Sequence, residues 1–67
     1  GDGNTPLMCS IINKFAGIIN FLIGRGADLT ALNKHNKTAL DLASEKGLLR
    51  IVNDIKFKIL ERQKQVS

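Results

Sequence analysis

A pattern in the first half of the chain returns 33 residues later, and this repeat constrains the fold more than any other feature. Thr5-Pro6-Leu7 returns as Thr38-Ala39-Leu40, and the apolar spacing that follows is preserved in both copies. Self-similarity with a fixed period of roughly 20 to 50 residues is typical of stacked repeat proteins. The chain is therefore predicted to be a stack of two similar units. Four pairs are identical at this offset: Thr5/Thr38, Leu7/Leu40, Ile18/Ile51 and Asn20/Asn53.

The residues of the first unit predict two short helices separated by a turn near Asn13-Lys14. Thr5 is a favourable N-cap, and Pro6 suits the first helical position because its missing N–H needs no partner there. Gly26 suits the left-handed position that follows the end of a helix. Spacing by three and four residues places Leu7, Ser10 and Ile11 on one face of the first helix. The second helix is expected to carry a broad apolar stripe of Phe15, Ile18, Ile19, Leu22 and Ile23.

The second unit is predicted to repeat this arrangement, with a longer last helix. Residues 27–37 lack a helical period and contain several turn formers, which predicts an extended loop or a β-hairpin. Thr38 is expected to cap a third helix, and Gly47 to separate it from a fourth. No glycine follows Lys56, so the fourth helix is expected to continue through Leu60 and towards Arg62. Its apolar stripe is predicted to be Ile51, Val52, Ile55 and Ile59.

These segments resemble the ankyrin repeat family. Gly3-Asn4-Thr5-Pro6-Leu7 resembles the G-x-T-P-L motif of that family, and Gly26-Ala27-Asp28-Leu29 resembles its G-A-D-V motif. The resemblance implies an all-α, ankyrin-repeat solenoid of helix-turn-helix pairs joined by a β-turn or hairpin finger. It implies an internal-type repeat over residues 1–32, truncated at its N-terminal edge, and a C-terminal capping repeat over residues 33–67. The second copy carries the resemblance in Thr38-Ala39-Leu40, Leu42-Ala43, Gly47 and Ile51-Val52.

The chain also departs from the family pattern, and each departure is expected to weaken the hydrogen bonding of the loops. Met8 and Asp41 stand where the family usually has a histidine that ties neighbouring loops together. Thr30 replaces a common asparagine, and Ala39 replaces proline. Lys14-Phe15 stands where Gly-His is common, so the first inter-helix turn is expected to be less regular.

The two ends of the stack differ in polarity. Asp54 and Lys56 stand at the positions of Phe21 and Ile23, where an internal repeat packs against the next repeat. Burying an unpaired charge is costly, so the second unit is expected to end the array. In the first unit Met8, Ile12 and Phe21 are expected to face partly outward. Because about three repeats are normally needed for stability, the chain is expected to be a fragment of a longer array or to self-associate through this first-repeat face.

Charge and composition restrict the functional classes. The net charge is +4, and six of the ten basic residues lie between Lys46 and Lys64. Such a helix can bind nucleic acid or an anionic membrane, but Asp54 and Glu61 interrupt it and no aromatic ladder accompanies it. A solvated cap is therefore preferred to nucleic-acid binding. Apolar runs are too short for a transmembrane helix, and the first residues do not have the pattern expected of a signal peptide.

No pattern predicts a catalytic, cofactor or metal site. Cys9 corresponds to Leu42 of the other copy and is expected to be a small buried apolar residue. A single cysteine cannot form an internal disulfide, which agrees with an intracellular, cytoplasmic or nuclear location. His35 lies in a loop without a nearby cysteine or second histidine, and Gly24-Arg25-Gly26 follows a helix and not a strand. The acidic residues show no paired spacing for acid–base catalysis: Asp2, Asp28, Asp41, Glu45, Asp54 and Glu61.

The remaining candidate is a surface for a protein partner. The resemblance implies that partners meet the finger tips and the concave face formed by the first helix of each pair. Phe57 lies off the apolar stripe of the last helix, and is expected to fold over the cap or, as the alternative, to dock on a partner. By position, the implied surface contains Asn4, Met8, Ile12, Asn13, Leu32, Lys34, His35, Lys37, Asp41 and Glu45.

Three other roles stay open at this stage. The repeats could be a structural cap that binds nothing, or a regulatory segment of a larger enzyme or channel. A basic, partly apolar last helix that meets a membrane is the third alternative.

Overall fold

The computed structural model describes residues 3–64 and shows two stacked helix pairs. The first pair is α1 (Pro6–Ile12) and α2 (Ala16–Gly24), and the second is α3 (Ala39–Glu45) and α4 (Leu49–Lys64). Within each pair the two helices pack together, and α1 also packs against α3. Within residues 3–64 there is no β-strand, so the predicted all-α solenoid is confirmed.

Both pairs begin with the same hydrogen-bonded cap. The Thr5 hydroxyl accepts a hydrogen bond from the Met8 N–H at 3.2 Å, and the Thr5 N–H donates to the Met8 sulfur at 3.4 Å. Thr38 and Asp41 repeat this arrangement at 3.2 and 3.0 Å. The two residues that replace the usual histidine therefore complete reciprocal capping boxes, which satisfy N–H groups left free at a helix start.

The turns within the two pairs also share one geometry. After α1, the N–H groups of Lys14 and Phe15 donate to Ile11 and Ser10, and Lys14 takes a left-handed φ of 59°. After α3, Gly47 takes the equivalent conformation with φ of 71°. The expectation of a less regular first turn is therefore wrong, because Lys14 adopts the conformation that glycine usually provides.

The core lies between the pairs, and it places several residues differently from the sequence-based expectation. Met8 was expected to face partly outward but is 1% exposed. Cys9 was expected to be buried but is exposed. Two members of the predicted α2 stripe, Phe15 and Ile18, are 54% and 50% exposed. The buried apolar residues are Leu7, Met8, Ile11, Ile19, Ile23, Leu29, Ala39, Leu42, Ala43, Ile51, Val52 and Ile55.

The position of the single interface between the pairs explains these errors. Cys9 and Ile18 correspond to Leu42 and Ile51, which are buried in the second pair at 7% and 5% exposure. These positions lie on the side of the second pair that the first pair covers. Within residues 3–64, nothing covers the same side of the first pair, so equivalent side chains stay exposed there.

On the opposite side of each pair, positions that are buried in the first pair are exposed in the second. Met8, Ile11 and Ile23 are buried in the first pair, because they face the second pair. Their equivalents in the second pair are polar and exposed: Asp41, Ser44 and Lys56. The far side of the second pair therefore lacks the apolar groups with which the first pair makes its interface.

The last helix continues well beyond the length of α2, as predicted. Phe57 and Ile59 occupy the positions of Gly24 and Gly26, so α4 lacks the glycines at which α2 ends. The added turns bind the loop between the two helix pairs, because the Arg62 guanidinium donates from Nη1 to the Ala27 carbonyl at 3.0 Å. In the same loop, hydrogen bonds from Thr30 lower the pKa of Asp28, and the positive charge of Arg62 acts in the same direction.

Replacing Lys14 with glycine is expected to stabilise the fold. A left-handed conformation costs a non-glycine residue about 1 kcal/mol, and glycine adopts it without that strain. The free energy of unfolding, measured by chemical denaturation, should rise by about this amount in Lys14→Gly. The matched control is Lys46→Gly, because Lys46 precedes the equivalent turn in a right-handed conformation. A gain in the control and not in Lys14→Gly would contradict the assignment of strain to Lys14.

Candidate partner-binding surface

A buried asparagine organises the loop between the two helix pairs. Asn33 is 8% exposed, and its Oδ1 accepts hydrogen bonds from the N–H groups of His35 and Lys37 at 2.8 and 3.1 Å. Its backbone N–H donates to the Lys37 carbonyl at 3.0 Å, and Asn36 closes the turn onto the Asn33 carbonyl. The predicted finger is therefore a tight turn over residues 33–37 and forms no β-ladder within the described residues.

The same side chain joins this finger to the segment that precedes α1. Asn33 donates from Nδ2 to Oδ1 of Asn4 at 2.9 Å, across 29 residues of sequence. The expectation that departures from the family pattern weaken loop hydrogen bonding is therefore wrong at this point. Two asparagine side chains link the loops in the absence of the usual histidine. Asn4, a predicted surface residue, is half-buried and holds the finger.

The tip of the finger exposes side chains of mixed chemistry. Leu32 is 58% exposed, and Lys34 and His35 are also exposed. At the base of the finger, Lys37 forms an ion pair with Glu45 at the end of α3. Asp41 lies on the same helix and is exposed, although one of its oxygens caps α3. The structure thus brings the predicted second-copy residues together on the finger and the adjoining helix.

The predicted first-copy residues contribute less to this surface. Met8 is removed from it, because its side chain is buried and its sulfur accepts the Thr5 N–H. Ile12 is half-buried, at the position equivalent to Glu45. Asn13 is exposed, but its amide donates to the Cys9 carbonyl at 2.8 Å.

Phe57 belongs to a different surface. The expectation that it folds over the cap is wrong, because its side chain is 61% exposed. It lies on the exposed side of α4, and α4 uses its other side to pack against α3. Helical spacing already placed Leu60 on the same face of the helix as Phe57, whereas Leu49, which is also exposed, was not singled out from the sequence.

The residues that could carry chemistry lie apart. Cys9 is on α1, His35 is at the finger tip, and Asp2 lies outside the described residues. Among residues 3–64, no group of three His, Cys, Asp or Glu side chains is arranged to hold a metal ion. In this part of the chain, none of the helices has the length and apolar character needed to cross a bilayer.

Comparison with known proteins gives a family match and a set of longer relatives. A family model described as Ankyrin repeat matches residues 2–34. The chain is 41% identical over 49 residues to Protein fem-1 homolog C of Bos taurus, and 38% identical over 47 residues to that of Xenopus laevis. It is 45% identical over 49 residues to Protein fem-1 homolog A of Homo sapiens.

These matches cover most of this chain and little of the relatives. The aligned segment is 73% of the chain and 8% of the Bos taurus protein, 70% and 8% for Xenopus laevis, and 73% and 7% for Homo sapiens. The chain therefore spans less than a tenth of the length of these curated relatives. No solved structure shows a significant match.

Replacing Asn33 with alanine is expected to destabilise the fold, because it removes the side-chain hydrogen bonds that hold the finger. The variant leaves two backbone N–H groups and the Asn4 amide without their partner, and each such loss costs about 1 to 3 kcal/mol when buried. Because these groups are partly reached by water, a loss of about 2 kcal/mol is expected in urea denaturation. Asn20→Ala, at an exposed position of α2, is the matched control and should change stability little. Equal stability of Asn33→Ala and the control would contradict this role.

Proposed function

Because the chain belongs to the ankyrin repeat family, we propose that it acts as a non-catalytic protein–protein interaction module, part of a longer ankyrin-repeat scaffold. Ankyrin repeats generally mediate contacts between proteins. The partner binds the finger and the adjoining helix ends. The partner surface comprises Asn4, Ile12, Asn13, Leu32, Lys34, His35, Lys37, Asp41 and Glu45.

The observation that carries this proposal is the finger held in place by Asn33. Its hydrogen bonds to His35, Lys37 and Asn4 fix the backbone below the exposed tip. A loop that is already ordered loses little conformational entropy when it binds, so more of the contact energy appears as affinity. Exposed Leu32 offers an apolar anchor beside the polar tip.

On this surface the tip of the finger carries positive charge and α3 carries negative charge. Lys34 stands at the tip, and the carboxylates of Asp41 and Glu45 lie on α3. A partner that matches both must place acidic groups against the tip and a basic or hydrogen-bond-donating group against α3. Such an arrangement favours one orientation of the partner over others.

A structural cap is the second candidate, and the polar far side of the second pair favours it. Asp41, Ser44 and Lys56 stand where the first pair buries Met8, Ile11 and Ile23. A further repeat packed there would bury charge without a partner. In this proposal the residues from 33 onward end an array, whether or not they bind a partner themselves.

The side of the first pair that exposes Cys9, Ile18 and Phe21 is proposed to meet either a preceding repeat or a second copy of the chain. We also propose an intracellular location, cytoplasmic or nuclear. An exposed free thiol such as that of Cys9 is kept reduced in those compartments.

Alanine at Lys34, His35 and Lys37 together is expected to weaken partner binding at least tenfold without unfolding the domain. The loss follows from removal of the charged tip, whereas the exposed Lys37–Glu45 ion pair contributes only about 0 to 1 kcal/mol to stability. Binding to a partner captured with the chain would be measured by calorimetry, and folding by circular dichroism. Asn20→Ala on α2 with Arg25→Ala just after it is the control and should bind as the native chain does. Unchanged affinity of the triple variant would reject the finger as the binding surface.

Giving the second pair the apolar residues of the first is expected to cause self-association. In the variant Asp41→Met, Ser44→Ile and Lys56→Ile, the far side acquires the residues with which the first pair makes its interface. Copies should then join head to tail into open chains, because this contact is heterologous and does not close. Sedimentation velocity should show species that grow with concentration. Asn20→Ile with Lys46→Ile adds apolar groups elsewhere and should cause less association. A triple variant with the sedimentation of the native chain would contradict the cap.

A further inference from the structure

The side of α4 that points away from the rest of the molecule has an unusual composition. Eight residues of this helix are exposed, and they form one continuous strip along its length. We call this strip the outer face of α4. Its members are Leu49, Arg50, Asn53, Lys56, Phe57, Leu60, Gln63 and Lys64.

Three large apolar side chains lie on the outer face of α4. Leu49, Phe57 and Leu60 are 71%, 61% and 56% exposed. Their separation along the helix is about 16 Å from first to last, at 1.5 Å per residue. Single exposed apolar groups are ordinary, but an aligned set on one helix is typical of an interaction site.

The charged members of the outer face of α4 are all cations. Arg50, Lys56 and Lys64 are exposed among the apolar groups. The acidic residues of the helix, Asp54 and Glu61, are half-buried at its flank, and Glu61 lies 3.6 Å from the Lys58 ammonium. The acidic interruptions noted in the sequence are therefore not on this face.

We propose that the outer face of α4 binds an acidic amphipathic helix of a protein partner. Leu49, Phe57 and Leu60 would pack between apolar side chains of that helix, in the manner of helices that present residues at spacings of three, four and seven. Glu or Asp residues beside that apolar row would meet Arg50, Lys56 and Lys64. This site shares no residue with the finger, so a result that rejects one binding surface does not reject the other.

A helix suits this face better than a membrane does. Lipid binding strengthens with the apolar area inserted, and the outer face of α4 offers only three apolar side chains, with Asn53 between them. A partner helix needs only a narrow apolar row, and its own carboxylates can reach cations that lie between the apolar groups. Charge complementarity and the narrow row of apolar side chains therefore both favour a partner helix.

The test uses the full chain and synthetic peptides. The probe is a fluorescent amphipathic peptide of about five helical turns, with leucines on one face and glutamates elsewhere. A second peptide carries lysine in place of every glutamate. Fluorescence anisotropy is recorded for the native chain and for Phe57→Ser, and for Phe15→Ser as the matched control, because Phe15 is similarly exposed but lies outside α4. Vesicles of phosphatidylcholine with phosphatidylserine are sedimented in parallel.

A charge test keeps the result interpretable if one variant folds poorly. Lys56→Glu with Lys64→Glu alters the outer face of α4, and Lys14→Glu with Arg25→Glu makes the same change of net charge outside α4 and outside the finger. We expect the glutamate peptide to bind the native chain, and Phe57→Ser and the Lys56/Lys64 variant to bind at least tenfold more weakly. The two control variants should retain binding to within about threefold, and the lysine peptide should not bind.

Three results would overturn the proposal. One is the absence of binding by the glutamate peptide. Another is an equal loss of affinity in each variant and its control, which would indicate net charge or general apolarity. The third is sedimentation with the anionic vesicles in the absence of peptide binding, which would assign this face to a lipid surface.

Discussion

The packing of α1 against α3 is the contact on which the rest of the structure depends. Each of these helices has seven residues, and isolated helices shorter than about 12 to 15 residues are marginal in water. Their reciprocal caps at Thr5 and Thr38 satisfy the helix starts but do not supply a core. Burial of Leu7, Met8 and Ile11 at the interface between the pairs supplies it. Neither pair is therefore expected to fold without the other, and the two pairs are expected to unfold as one cooperative unit.

This single interface also explains which parts of the fold could be predicted from the sequence. Helix starts, the left-handed Gly26 and the continuation of α4 depend on local residue types and were predicted correctly, whereas the left-handed Lys14 was not predicted. The burial of Met8 and the exposure of Cys9 and Ile18 depend on which side of the pair has a neighbour. Helical periodicity gives the same apolar pattern for a covered and an uncovered side. The sequence alone therefore could not assign these residues.

The candidate binding surface was predictable to a similar degree. The finger and its exposed tip followed from the turn formers and the family resemblance. The hydrogen bond from Asn33 to Asn4 did not, because the two residues are 29 apart and so lie outside the repeat offset. The sequence did show that the usual histidine was missing, but not that a hydrogen bond between two asparagine side chains links the loops instead. This hydrogen bond becomes apparent only from the fold, which brings the two segments next to each other.

The finger and the outer face of α4 are connected to each other by hydrogen bonds and by helix packing. Asn33 fixes the finger to the start of α3, and α3 packs against α4. Arg62 of α4 then donates to the Ala27 carbonyl, in the loop between the two pairs. The two surfaces share no side chain, and interactions without shared partners are usually additive. Both surfaces are carried by ordered elements, so neither proposal requires one surface to rearrange when the other is occupied. In these proposals one partner binds at the finger and another along α4, and we expect little coupling between them.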